Sequence, residues 1–190
     1  MVSNRVYIPG YHISQELYNG SRTLVYRGQY ILSQPPEDIA LCSEALMDNP
    51  LVLVANKNHP LAGQRNIPIK RLNNEAFIMR ESGSGTRQAV QKLFAKHKIS
   101  VKVRLELGSN EAIKQAIAGG LGISILSNHT LYGESSEWEL TTLDVQNFPI
   151  KRQWYVSYLA GKQLSVVAQA FLEYLHEHTQ KMVVTSSLVS

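Results

Sequence analysis

An α/β fold is predicted for this chain, because short β-type runs alternate with helical segments along most of its length. Three observations carry the prediction. Residues 51–55 and 77–79 are short continuous apolar runs, 101–107 alternates apolar and polar residues, and 86–96 and 110–118 hold apolar residues at helical spacing.

Taken in order, residues 1–28 carry turn formers (Pro9-Gly10, Asn19-Gly20) and several tyrosines but no sustained period, and they are left unassigned. Tyr30-Ile31-Leu32 reads as a short strand ended before Pro35-Pro36, since proline cannot donate to a ladder. The run at 51–55 is a strand that stops at Asn56-Lys57-Asn58-His59-Pro60. Ile67, Ile69 and Leu72 lead through a connection into a strand at 77–79. Ala89, Val90, Leu93 and Phe94 share one face of a helix over 86–96. The alternation at 101–107 gives a half-buried strand, and a turn at Gly108-Ser109 leads to a helix over 110–118. Its stripe is Ala112, Ile113, Ala116 and Ile117, and Gly119-Gly120 stops it. A strand follows at 123–126, then the stretch 140–145 and a further strand at 154–159. A last helix begins near Leu164-Ser165 and places His176 and His178 in its final turn, leaving a frayed tail at 182–190.

The bulk properties exclude several classes. A charge of +4 is spread over scattered basic residues, with only Lys70-Arg71 and Lys151-Arg152 adjacent, so it suits small anions better than nucleic acid. The single cysteine, Cys42, forbids an internal disulfide and reads as a small buried hydrophobe. No membrane-length apolar run or secretory signal is visible, so a soluble cytoplasmic protein without membrane contacts is expected.

Two loops carry chemistry. Arg80-Glu81-Ser82-Gly83-Ser84-Gly85-Thr86-Arg87 lies between a strand and a helix start. Glycines open the backbone amides there, and the helix contributes unpaired N–H groups and the positive end of its dipole, which suits a phosphate or carboxylate. Ser84 or Thr86 acting merely as a helix cap is the plainer reading, and both can hold. Gly108-Ser109-Asn110-Glu111 repeats the geometry. If the strands before both loops are parallel, the two helix starts meet at the carboxyl edge of one sheet, where ligands bind in open α/β folds.

Catalysis is not expected. The first loop lacks the Gly-Lys-Ser/Thr of a P-loop, has Gln88 where a dinucleotide fingerprint needs its third glycine, and has Ser82 where a nucleophile elbow needs glycine. His176 and His178 are two apart on a helix and point away from each other, so no metal site is expected; no cofactor is implied either.

The stretch at 80–87 closely resembles the Arg-Glu-Pro-Gly-Ser-Gly-Thr-Arg segment of LysR-type effector domains. Leu105-Glu-Leu-Gly-Ser-Asn-Glu-Ala-Ile-Lys-Gln-Ala-Ile-Ala-Gly-Gly-Leu-Gly-Ile-Ser-Ile-Leu-Ser127 and Asn58-His59-Pro60-Leu61-Ala62 extend that resemblance over residues 29–176. Gln34-Pro35-Pro36-Glu37-Asp38, Asp48-Asn49-Pro50-Leu51-Val52 and the run from Ala160 to Gln169 are similar to the branch that controls carbon-dioxide fixation and inorganic-carbon uptake. The resemblance implies a periplasmic-binding-protein-like fold of two α/β subdomains joined by two crossover strands, near 77–79 and 154–156. Subdomain I would comprise 29–79 and 152–181, incomplete at its N-terminus, and subdomain II 80–151. Effectors of this branch imply a phosphorylated or carboxylated metabolite in the cleft. The implied contacts are Ser82, Gly83, Ser84, Gly85, Thr86, Ser109 and Asn110, with Gln34 closing from subdomain I. Ser82 stands where the family has proline.

Residues 1–28 do not resemble the family's opening strand and helix, nor its helix-turn-helix. The reading is therefore a truncated sensor that does not itself bind DNA, acting as a homo-oligomer or a hetero-oligomer with a full-length paralogue. An unpaired sheet position beside the first family strand is expected as a consequence. A transport-type solute-binding protein and a non-functional remnant are the alternatives.

Overall fold

The structure, a computed structural model, describes the backbone of residues 7–8, 11–12, 14–18, 21–26, 29–32, 40–131, 139–161 and 163–187. Side chains are described for 40–131, 139–161 and 163–178. The strands run in order β1 (Tyr7–Ile8), β2 (Tyr11–His12), β3 (Ser14–Tyr18), β4 (Ser21–Tyr26), β5 (Gln29–Leu32), β6 (Leu41–Asp48) and β7 (Leu51–Asn56). They continue with β8 (Ala76–Arg80), helix α1 (Gly85–His97), β9 (Lys102–Leu107), helix α2 (Asn110–Ala118), β10 (Ser124–Ser127), β11 (Leu140–Thr142), β12 (Gln153–Leu159) and helix α3 (Val166–Ser187).

The chain divides into two units, one built from Met1–Asp48 with Arg152–Ser190 and the other from Asn49–Lys151. The sequence reading put the first crossing at 77–79, whereas contacts divide the chain between Asp48 and Asn49. The reason is hydrogen bonding. Strand β8 pairs in parallel with β9 and bridges to Ile123, and Phe77 and Ile78 are wholly buried, so β8 is a central strand of the second unit.

In the first unit the sheet order is β3-β4-β5-β12-β6, with β12 antiparallel to both β5 and β6. Strand β4 pairs with β5 through Leu24↔Ile31 and Val25↔Tyr30, so the sheet position expected to stand empty beside β5 is taken by a hairpin from residues 1–28. Strand β6 has no counterpart in the sequence reading. Its Leu-Cys-Ser-Glu-Ala-Leu-Met-Asp run lacks clean alternation, because it pairs on one side only with β12 and packs on α3. Cys42 lies on this strand and is exposed, against the expectation of a buried thiol. Helix α3 buries Ala168, Phe171 and Leu175 and runs on to Ser187. The helix thus includes part of the expected tail, and His176 and His178 are not in its last turn. The imidazole of His176 meets Glu44 Oε2 at 3.1 Å, whereas Nδ1 of His178 meets the Tyr174 carbonyl at 2.9 Å.

The second unit shows why residues 51–55 and 77–79 are apolar without alternation. Strand β7 lies between β10 and β11, antiparallel to both, and β9 lies beside β8. A parallel bridge between Phe77 and Ile123 links the two groups of strands, closed by Ile78 N–H to Ile123 O and Ile123 N–H to Ala76 O, both 2.9 Å. Leu51, Leu53, Ala55, Phe77, Met79 and Ile125 pack with Val90 and Phe94 of α1. The alternate residues Val54, Ile78 and Leu126 pack with Ile113, Ala116 and Ile117 of α2. Side chains alternate across a sheet, so α1 and α2 cover opposite faces and every strand position needs an apolar residue. The rings of Phe77 and Phe94 meet edge to face at 5.5 Å, worth about 1 kcal/mol beyond the area they bury.

Candidate functional site

Strand β8 leads through α1 to its neighbour β9, and β9 leads through α2 back across β8 to β10. The two connections run in opposite directions over the sheet, and connections of the same hand then place their helices on opposite faces. The strand order reverses between β8 and β9, where Arg80 is paired with Leu107 at the carboxyl ends. This is the switch point at which open α/β sheets leave a crevice between diverging loops.

The loop after β8 begins with a four-residue turn closed by Ser84 N–H to the Glu81 carbonyl at 3.1 Å. Gly83 holds its third position at φ 86, a backbone that a side chain resists. Ser84 then takes the extended N-cap conformation of α1, yet its side chain makes no cap hydrogen bond. The plain capping role expected for Ser84 is thus not what its hydroxyl does, although the residue is only 5% exposed. Thr86 is buried in the first turn. Val90 and Phe94 continue the buried face, and Lys98 ends the helix in a left-handed conformation.

At the second loop Ser109 is a side-chain cap: its hydroxyl accepts from Ala112 N–H at 3.4 Å and donates to Glu111 Oε2 at 3.1 Å. Asn110 opens α2, and the first intrahelical bond is Ile113 N–H to the Ser109 carbonyl. The N–H groups of Asn110 and Glu111 precede that bond and carry the positive end of the helix dipole.

Two arginines and two glutamates knit these loops together. Arg80 grips Glu81 with both prongs, Nε to Oε2 at 2.8 Å and Nη2 to Oε1 at 2.9 Å, and its Nη1 donates to Asn110 Oδ1 at 3.0 Å. Arg87 donates from Nη1 to the Arg80 carbonyl at 2.8 Å and to Glu106 Oε2 at 2.6 Å. Glu106 Oε1 accepts the Ser82 N–H at 3.1 Å. The Ser82 amide, with the Arg87 guanidinium beside it, holds the Glu106 carboxyl below its ordinary range. Ser82 therefore spends its backbone donor on Glu106.

The structure brings Ser82, Gly83, Ser84, Gly85 and Thr86 together with Ser109 and Asn110 at adjoining strand ends. Gln34 lies outside the described residues. Arg80, Arg87 and Glu106 were missed as parts of the site. The signal available was that Arg80 and Arg87 bracket the glycine loop, while nothing local marks Glu106 as their partner. Among the described residues no group of three or more histidine, cysteine, aspartate or glutamate side chains could hold a metal ion. Among the same residues no helix is long and apolar enough to cross a membrane.

Fold and site together define an effector-binding α/β domain. The family model described as the LysR substrate binding domain matches residues 29–180, and the chain belongs to that family. It is 44% identical over 177 residues to the HTH-type transcriptional activator CmpR of Synechocystis, covering 90% of this chain and 58% of that protein. It is 51% identical over 146 residues to a RuBisCO operon transcriptional regulator of Acidithiobacillus ferrooxidans, covering 77% of this chain and 47% of that one. The chain thus spans about half the length of the curated relatives it matches. Among solved structures, the regulatory domain of Synechocystis PCC6803 CcmR in complex with 2-PG is 64% identical, with a TM-score of 0.78 over 82% of this chain and 74% of that one. The effector binding domain of QuiR in complex with shikimate shares the fold at 22% identity and a TM-score of 0.71. The two curated relatives are regulators of transcription, and the chain is a LysR effector domain of the carbon-fixation branch.

Proposed function

We propose that this chain senses a small anionic metabolite, a phosphorylated or carboxylated acid, at the paired loops after β8 and β9. The observation that carries the reading is the reversal of strand order between those strands, which sets two helix starts side by side. The groups offered to the anion are the backbone around Gly83 and Gly85, the hydroxyls of Ser84 and Thr86, and the start of α2 at Ser109 and Asn110. The first candidate is 2-phosphoglycolate, the ligand of the 64% identical regulatory domain. The protein does no chemistry on it. Binding shifts a conformational equilibrium only by the difference in affinity between two states, so the effector must favour one arrangement of the domain. Control of transcription further requires a DNA-binding segment, supplied by the same polypeptide or by a partner subunit such as a full-length paralogue. We place the protein in the cytoplasm on the same reasoning.

Calorimetric titration with 2-phosphoglycolate, phosphoglycerate, 2-oxoglutarate and sulfate tests the reading. Saturable one-site binding of an organic acid, weakened about tenfold or more by Thr86→Val, supports it, that loss being one hydrogen bond to a charged group. In thermal unfolding the same acid should add about 2.7 kcal/mol at a hundred times its dissociation constant. Binding no tighter than that of sulfate, in a cooperatively folding chain, overturns it.

A further inference from the structure

Asn110 has one described side-chain contact, the guanidinium of Arg80. A guanidinium only donates, so the carboxamide must present its oxygen to Arg80, at 3.0 Å from Nη1. Its nitrogen, with two N–H donors, therefore faces the other way, and no described residue accepts from it. Those donors stand at the first position of α2, beside the N–H groups of Asn110 and Glu111.

Arg80 is already engaged in this arrangement, with a hydrogen bond from each of its three nitrogens. Two of its nitrogens are held by Glu81 and the third by Asn110, and its side chain is only 14% exposed. Arg87 is bound to Glu106 and to the Arg80 carbonyl, and Glu111 adds a further negative charge on the first turn of α2. Both arginines that border the loops are paired with glutamates, so their charge is offset and the uncharged donors at the start of α2 stand beside them.

We propose that Arg80 is a positioning residue for effector recognition: it fixes the Asn110 carboxamide so that Nδ2 donates to the bound anion, and its own charge makes no contact with it. The inference rests on the functional reading above and deepens it, since it predicts recognition by the direction of neutral donors. An unrestrained asparagine can turn its oxygen toward the anion, which repels it. Restraint by a half-buried, charge-paired arginine removes that orientation before the ligand arrives.

The test is a double-substitution cycle on the full chain, read by calorimetry with 2-phosphoglycolate. Arg80→Lys keeps the charge but cannot hold both Glu81 and the Asn110 oxygen in one fork. Arg80→Lys and Asn110→Ala should each weaken binding about tenfold or more, as expected for a hydrogen bond to a charged group. In the Asn110→Ala background Arg80→Lys should cost less than about twofold more, because the group it orients is gone. Losses that multiply overturn the inference and make Arg80 a direct contact or a general support. Asn110→Asp serves as a second variant, because a carboxylate keeps a partner for Arg80 and suits a helix start while removing the donor. It should abolish binding, and wild-type affinity in this variant overturns the inference.

The side-chain amide resonances of Asn110, assigned by their loss in Asn110→Ala, should move when 2-phosphoglycolate is added to the wild-type chain and stay in place in Arg80→Lys. A wild-type chain that binds no organic acid refutes the site reading and this inference with it. Wild-type binding with multiplicative losses refutes only the positioning role.

Discussion

Replacing Gly122 by alanine tests whether the parallel contact between β8 and the start of β10 sets the geometry of the second unit. Gly122 has φ 154, and a Cβ built on it overlaps the Ala76 carbonyl oxygen and comes within 3.0 Å of the carbonyl carbon. Both obstacles are backbone, so neither can swing away. Relief requires β8 to move from residues 122–124, which strains the two 2.9 Å hydrogen bonds between Ile123 and its neighbours Ala76 and Ile78. Overpacking of this kind costs about 1–3 kcal/mol, and weakening one hydrogen bond adds about 1 kcal/mol, so the expected loss is about 3 kcal/mol. Gly119→Ala is the control. Its backbone has φ −73, and its nearest neighbours would lie at 3.4 and 3.7 Å, ordinary contact distances. A change within about 0.5 kcal/mol of zero is expected there. Equilibrium urea unfolding followed by far-ultraviolet circular dichroism measures both, compared at unchanged slope. If Gly122→Ala proves as stable as Gly119→Ala, the close approach of the two backbones does not constrain the fold and the reasoning fails.

Two further outcomes follow from the same unit. The hydroxyl of Ser124, only 1% exposed, donates to the Ile78 carbonyl at 2.6 Å, so Ser124→Ala should lower the unfolding free energy by about 1–2 kcal/mol. An unchanged urea midpoint would refute that role. The folded carboxyl of Glu106 lies below its ordinary value of 4.5, first through the Ser82 amide and then through Arg87. Its contribution to stability is therefore complete above that ordinary value and is lost as pH falls through the lowered one. Glu106→Gln should consequently lose less stability than the wild-type chain between neutral pH and the acid side of that range. Parallel acid-unfolding profiles for the two proteins would contradict the linkage.

Much of the second unit was legible in the sequence, because its signals are local. Helical spacing from Ala89 to Phe94 and from Ala112 to Ile117 gives α1 and α2, and Gly119-Gly120 marks the end of the latter. Continuous apolar runs marked β7 and β8 as strands, and two small-residue turns before helix starts marked the candidate loops. What depended on distant partners was not legible. Lys114 falls within a helix whose other non-apolar residues are polar-face choices, yet it is 3% exposed and its ammonium approaches the Thr130 carbonyl at 3.5 Å. Strand β6 draws its order from β12, more than a hundred residues away, and its own sequence carries no alternation to announce it. The division between Asp48 and Asn49 was not legible for the same reason: whether β8 crosses between units or lies within one depends on its hydrogen bonds to β9 and Ile123.

By itself, then, the sequence determined the family, the α/β class and the two loops, since motif order, hydrophobic period and turn chemistry are properties of neighbouring residues. Only the tertiary structure decided that Arg80 faces Asn110 and that Arg87 and Ser82 converge on Glu106. A side chain's partner is set by which strand ends are brought side by side, and pairing between strands separated by a helix leaves no trace in either strand alone.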